Sequence, residues 1–307
     1  MSIKVVSVNI SEKKGTIKEP VAQIELNEIG VQGDAHSGKW HRQVSLLGTE
    51  SFRKFELQAK RPLHYGEFAE NITTEGITLY ETHPLDRFSI GEALLEVTQI
   101  GKKCHGDSCA IYREVGNCVM PKEGIFCRVL RPGIVKAGDL MEYLPRIFKV
   151  KVITLSDRAS AGEYEDRSGP RIVQLMEEFF TSVGWKAEIE RVVIPDEATL
   201  LKQHLKGPIN ADIVITTGGT GIGPRDITVD VVKPLLDKEI PGIMELIRVK
   251  YGADKPNALV SRGVAGVIGE TLVYTLPGSV KAVEEYLAEI TKTIKHSIFM
   301  LNGLDLH

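Results

Sequence analysis

Asp212-Ile213-Val214-Ile215-Thr216-Thr217-Gly218-Gly219-Thr220-Gly221 decides how the second half of this chain folds. A β-branched apolar run of strand length empties into a turn of glycine and threonine. A run without polar alternation suits a strand buried on both faces, as in a parallel sheet covered by helices. The segments around it agree. Strand signals at Val150–Leu155, Val192–Ile194 and Leu272–Leu276 alternate with helical periodicity over Ser168–Val183, Glu197–Leu205, Ile227–Leu236, Gly242–Lys250 and Val280–Phe299. On the first of these helices Ile172, Leu175, Met176 and Phe179 are expected to form the buried face. Strict alternation predicts a three-layer α/β domain with a mostly parallel sheet.

Ligands of such a sheet gather beyond the carboxyl ends of its strands. Thr217, Gly218, Gly219, Thr220 and Gly221 stand at one such end. Glycines let backbone N–H groups approach an anion, and threonine hydroxyls add donors. The turn is neither a Walker loop nor the dinucleotide fingerprint, and a plain strand-to-helix turn is the other reading. Arg225 and Asp226 follow closely. A carboxylate beside a phosphate loop calls for a cation between them, and Mg²⁺ binds through one or two carboxylates plus phosphate oxygens. Asp196, the pair Ser156-Asp157 and the turn Pro277-Gly278-Ser279 occupy three further strand ends. Taken singly, Asp196 reads better as an N-cap for the helix starting at Glu197. Taken together, the four ends predict a crevice for a phosphorylated ligand and a divalent metal. The residues alone leave phosphoryl transfer, nucleotidyl transfer and phosphate-ester binding open.

The first half has another texture. Short apolar runs at Lys4–Ile10, Val21–Leu26, Gln43–Leu47, Ala93–Ile100 and Ile125–Val129 suit strands, and only Glu50–Lys60 has helical spacing. The join falls at Tyr143-Leu144-Pro145-Arg146, where Pro145 keeps the preceding residue extended. The expected domains are therefore residues 1–146 and 147–307, and a length of 307 suits two. A charged fraction of 26% and a hydrophobic fraction of 42% exclude a disordered chain. The net charge of −3 argues against nucleic acid as a partner. No apolar run of about 18 residues occurs, so no membrane helix is expected and the cytoplasm is the expected compartment. There Cys104, Cys109, Cys118 and Cys127 read as thiols, carriers or ligands, not disulfides. Cys104, His105, Cys109 and Cys118 form an alternative metal set with unusual spacing, and Cys127 sits in an apolar run that suits the core.

Residues 148–300 resemble the molybdopterin adenylyltransferase family of the MogA/MoaB type. The matching stretches are Thr154-Leu155-Ser156-Asp157-Arg158, Gly162-Glu163-Tyr164-Glu165-Asp166, Thr217–Gly221 with Arg225-Asp226, Pro241-Gly242, Ser261-Arg262 and Leu276-Pro277-Gly278-Ser279, in family order. The resemblance implies transfer of AMP from ATP to the terminal phosphate of molybdopterin, with release of pyrophosphate. It makes Asp196 and Asp226 the essential acids, holding Mg²⁺ against the ATP phosphates, and Gly218–Gly221 the phosphate cradle. Ser156, Asp157, Thr217, Pro277, Gly278 and Ser279 complete the pocket, and Arg225 either balances the leaving pyrophosphate or forms a surface ion pair. A homotrimer through this domain is expected.

Gly33-Asp34-Ala35-His36 with His41-Arg42-Gln43-Val44-Ser45-Leu46-Leu47, then Tyr65–Ile77, then Val97–Lys103 leading into Cys104-His105, resemble a MOSC domain. That implies a mostly-β, barrel-like domain that binds molybdenum cofactor or carries sulfur on Cys104, with His36 and Arg42 at its site. A molybdate-inserting protein or molybdoenzymes are the onward partners this implies. Two other readings stand: a non-enzymatic carrier of the pterin and its cofactor, and a general nucleotide phosphatase. Asp196 and Asp226 weigh against the carrier, since an anion binder gains nothing from two added negative charges.

Overall fold

The computed structural model describes residues 2–103 and 118–304. They form two compact units, 2–146 and 147–303.

The first unit carries β1 (Ile3–Ile10), β2 (Glu19–Val21), β3 (Gln23–Asn27), β4 (Gly30–Val31), β5 (Val44–Gly48), helix α1 (Thr49–Ala59), β6 (Ile72–Glu75), β7 (Arg87–Ile90), β8 (Ala93–Ile100), helix α2 (Met120–Glu123), β9 (Ile125–Arg131), β10 (Gly133–Lys136) and β11 (Leu140–Leu144). Strands pair in the order β11-β7-β8-β9-β5-β6-β1, and β1 pairs back to β11 through Ile3 and Met141. The ring is therefore a closed barrel of seven strands, the β-rich architecture expected. Alternation of side chains fills its interior with Val5, Val8, Leu46, Phe88, Leu95 and Ile125, all 1% exposed or less. The opposite face of β5 sends Leu47 outward against α1, where Phe52 and Phe55 meet Phe68 edge-on at 5.0 and 5.1 Å. Each of these aromatic side chains contributes about 2–3 kcal/mol by leaving water. Lys60, in the left-handed conformation at φ 55°, ends the helix. Cys127 lies fully buried in β9, and Cys104, His105 and Cys109 lie outside the described residues.

The second unit carries β12 (Ile147–Leu155), α3 (Asp157–Ser160), α4 (Ser168–Ser182), β13 (Lys186–Ile194), α5 (Ala198–Leu205), β14 (Ile213–Thr217), α6 (Thr228–Val232), β15 (Lys238–Glu239), α7 (Pro241–Gly252), β16 (Ala265–Ile268), β17 (Thr271–Leu276) and α8 (Val280–Leu301). The sheet order is β13-β12-β14-β17-β16-β15. The first four strands run parallel, and β16 and β15 join antiparallel. Strict alternation did not anticipate those two. β16 has four residues including a glycine, β15 has two exposed charged residues, and a turn through Gly269 at φ 60° links β16 to β17. Leu201, Leu205, Val229 and Val232 of α5 and α6 pack with Ile153, Leu155, Val214 and Val273 of the sheet. Along α4 the buried positions are Ile172, Met176 and Phe180, with Leu175 and Phe179 only half-buried. Phe180 wins because it stacks on Phe148, which stacks in turn on Trp185.

Register positions the site. Leu155 pairs with Ile194, Thr154 with Thr217, and Thr217 with Leu276. The chain therefore leaves β12, β13, β14 and β17 at one level, and the residues that follow each strand share one rim.

Candidate functional site

The glycine turn is built so that only glycine fits. Gly218 and Gly219 have φ of +101° and +65°, where side chains are rarely tolerated. A Cβ on Gly218 would collide with the Leu155 carbonyl oxygen, and one on Gly219 would stand 2.5 Å from Thr228 Oγ1. The turn is clamped from below. Gly218 N–H donates to Leu276 O at 3.0 Å, Thr228 Oγ1 donates to Gly218 O at 2.7 Å, and Thr217 Oγ1 donates to Pro277 O at 2.9 Å. Thr217 thus serves as a strut and not as a donor to a guest. Gly278 lies against Gly218, which brings the Pro277-Gly278-Ser279 turn to the loop, and Ser279 caps α8 through Ala282 N–H.

Above the clamp, the N–H groups of Gly219, Thr220 and Gly221 find no acceptor among the described residues. Partly buried amide donors left this way cost stability unless a ligand or water accepts from them. Three successive amides at a glycine turn form a nest for an anion.

The acids meet around this nest. Asp157 and Asp196 are joined reciprocally: Asp157 N–H donates to Asp196 Oδ2 at 3.1 Å, and Asp196 N–H donates to Asp157 Oδ1 at 3.0 Å. The remaining oxygen of Asp157 accepts from Arg225. Asp196 is therefore not an N-cap. Glu197 holds the cap position of α5 and makes no side-chain cap bond, because the Asp196 carboxylate is turned toward Asp157. Asp226 accepts from Gly223 N–H at 2.7 Å and folds its own loop. Burial raises the Asp196 carboxyl above the usual carboxylate range, and the charges of Asp157 and Asp226 add to this. Its bond to Arg225 holds Asp157 below that range. So the three carboxylates gather on one rim with a single guanidinium paired among them. Ser156, at the same rim, caps α3 through Ala159 N–H.

Arg262 of the Ser261-Arg262 stretch also reaches this rim. It donates to Gly221 O at 2.7 Å and Asp226 O at 2.8 Å, and it grips both oxygens of Asp230 at 2.7 and 3.0 Å. Its neighbour Ser261 accepts from Tyr286 OH at 2.9 Å. A cavity of about 230 Å³ is lined by Ser261 and Arg262 together with Met244, Arg248, Leu259 and Val260. Asp166 ties the end of β12 to α4 by accepting from Thr154 Oγ1 at 2.8 Å and Gly169 N–H at 3.0 Å. The Arg262 and Ser261 ties have no local sequence signature, since their partners lie 25 to 41 residues away in the chain. Among the described residues no three His, Cys, Asp or Glu side chains converge as a metal-binding set.

In the first unit, His36 and Arg42 belong to a larger polar assembly. Lys18, only 2% exposed, bonds Asp34, and His36 Nδ1 lies 3.4 Å from Asp34 Oδ1 and 3.5 Å from Lys18 Nζ. Asp34 Oδ2 also accepts from Ser11 N–H and Asn71 Nδ2, each at 3.1 Å. Burial opposes ionisation of Asp34, but these donors outweigh it and hold the carboxylate charged. Trp40 Nε1 donates to His36 O at 2.9 Å, and Arg42 stacks on the Trp40 ring at 4.8 Å. Cys104, the proposed carrier thiol, lies outside the described residues. The sequence carries no local signal for Lys18, because a lysine in a polar stretch reads as surface.

Glu70 shares this interior with no exposure, accepting from Thr73 Oγ1 at 2.9 Å. Burial pushes its carboxyl up to about 7, from an ordinary 4.5. A raised folded value makes the stabilisation fully present below pH 4.5 and lost as pH climbs through 7, about 3 kcal/mol in all. The first unit is expected to lose unfolding free energy between pH 5 and 7, and Glu70→Gln is expected to flatten that stretch. Denaturant melts across that range check it; an unchanged slope in the variant would assign the effect to another group.

Comparisons with known proteins bear on both units. Residues 151–296 match the family described as a probable molybdopterin binding domain, and residues 33–142 match the MOSC domain. A Pyrococcus furiosus protein named molybdopterin adenylyltransferase is 40% identical over 159 residues, covering 50% of this chain and 90% of its own length. Gephyrin of Dictyostelium discoideum is 39% identical over 166 residues, which is 50% of this chain and 22% of that protein. A Chlorobaculum tepidum protein named molybdenum cofactor biosynthesis bifunctional protein is 35% identical over 53% of this chain and 50% of its own length. The chain thus spans between about a fifth and a half of these two longer relatives. No described helix is long and apolar enough to cross a membrane.

Proposed function

The second half of this chain belongs to the molybdopterin-binding family of the MogA/MoaB type, behind a MOSC domain, and from that membership we propose that residues 147–307 transfer AMP from Mg-ATP to the terminal phosphate of molybdopterin. The observation that carries this reading is the nest of three unpaired amides at Gly219–Gly221, with Asp196 and Asp226 on its rim.

A phosphate oxygen of molybdopterin attacks the α-phosphorus of ATP. The bond from that phosphorus to the bridging oxygen breaks, and pyrophosphate leaves with the electron pair. The nucleophile comes with the substrate, so the protein's task is positioning and charge neutralisation. The Gly219–Gly221 amides cradle phosphate, Gly278 and Ser279 close the pocket beside them, and Arg225 faces the leaving pyrophosphate. Asp196 and Asp226 would hold Mg²⁺. The fit is chemical: two carboxylates among neighbouring negative charge, with oxygen donors alone, suit a hard cation that takes its other ligands from water and phosphate. Mg²⁺ would supply the positive charge that offsets the triphosphate. The cavity beside Ser261 and Arg262 is a berth for the acceptor's ring system.

Residues 1–146 bind molybdopterin or finished cofactor, or carry sulfur, with Cys104, His36 and Arg42 as the site. The whole protein works in the cytoplasm as a homotrimer assembled through the second domain. Its product passes to a molybdate-inserting protein or to molybdoenzymes.

The test is direct. The full chain is incubated with molybdopterin and Mg-ATP, and pyrophosphate is measured against adenylylated pterin. Equal amounts of the two are expected. Pterin binding without pyrophosphate would return the carrier reading, and ATP hydrolysis without pterin would return the phosphatase.

A further inference from the structure

We propose that Asp157 is a positioning residue: it sets Asp196 in place and occupies Arg225 until a phosphate takes over that guanidinium. The inference rests on the adenylyl-transfer reading and gives one pocket residue a distinct task.

Three observations carry it. The Asp157 side chain and backbone make a two-bond clasp with Asp196, 39 residues away in the chain, with both bonds near 3 Å. The clasp joins the ends of β12 and β13, so it fixes the Asp196 carboxylate relative to the sheet. The other Asp157 oxygen bonds Arg225, next in sequence to Asp226, which links the clasp to the loop carrying the second acid. Finally, the Asp157–Arg225 pair is open to solvent, with side chains 45% and 62% exposed, so an incoming phosphate can reach the guanidinium. An exposed ion pair of this kind is weakly held and readily exchanged. A carboxylate that stands where the phosphate will bind keeps Arg225 oriented without closing the pocket.

This assignment separates binding from turnover. With Asp157 gone, ATP no longer competes for Arg225, so its KM should hold or fall. Asp196, however, loses the side-chain half of its clasp, which fixes its backbone, and keeps only the bond from the residue 157 N–H; misplacement by an ångström lowers kcat by roughly tenfold to a hundredfold. In the full chain, Asp157→Ala is expected to show that split in pyrophosphate release. Asp157→Asn keeps an oxygen for the Asp196 N–H and is expected to recover at least about a tenth of the lost rate. A raised KM with kcat intact would make Asp157 a direct ligand contact and overturn the proposal. So would an Asn variant as poor as the Ala variant. A wild-type chain that releases no pyrophosphate would instead sink the adenylyl-transfer reading itself.

Discussion

Asp226→Ala is expected to lower pyrophosphate release by roughly 10²–10³-fold while molybdopterin still binds. The carboxylate stands beside the nest of amides, and with Asp157 paired to Arg225 its loss leaves Asp196 as the remaining rim carboxylate, among the described residues, to hold a cation. One complication is structural: Asp226 also accepts from Gly223 N–H at 2.7 Å and shapes its loop. Asp226→Asn separates the two effects, because an amide oxygen keeps that bond while the charge is lost. Both variants should fall alike if charge is what matters. Recovery of activity in the Asn variant would show that the residue only folds the loop. Pterin binding is followed by fluorescence titration, so a lost product cannot be mistaken for a lost ligand.

Lys18→Ala should destabilise the first unit by about 3–5 kcal/mol, because it leaves a carboxylate buried without its counter-charge. Asp34 keeps its donors from Ser11 and Asn71 but loses the Lys18 ammonium bonded to it. The measurement can be confined to the right unit. Trp40 and Trp185 are the two tryptophans, one in each unit, so in a Trp185→Phe background the fluorescence of Trp40 reports the first unit alone. Replacing the pair together, Lys18→Met with Asp34→Asn, should cost far less than the single change, since it removes both charges from the interior while an amide oxygen can still accept from Ser11 and Asn71. A single substitution that melts like the parent would mean that the carboxylate is sustained by its amide and backbone donors.

These two residues also mark the limit of what the chain reveals unfolded. Asp226 was legible because its signal is local: a buried strand, a glycine turn and an acid a few residues on. The same holds for the ends of β12, β13 and β17, where hydrophobic runs stop at polar residues. Lys18 was illegible because burial is decided by chain returning from Asp34 and Asn71. The Asp157–Asp196 clasp and the three-way grip of Arg262 were illegible for the same reason, joining residues 32 to 41 positions apart. The Asp196 N-cap expectation failed because a carboxylate has a choice of donors, and the nearer sheet neighbour won over its own helix. β16 and β15 were missed because two to four residues carry too little periodicity to register.

The ring of seven strands has a consequence for synthesis on the ribosome. Its first strand and its last are partners, so Ile3 waits for Met141. Such a pairing must bridge nearly the whole domain, the kind of long-range closure that slows folding. Until the stretch from 140 to 144 emerges, the nascent barrel is a gutter with two bare margins, β1 and β7. A product terminated before that stretch would offer both margins to any neighbour, and inclusion bodies are its natural fate.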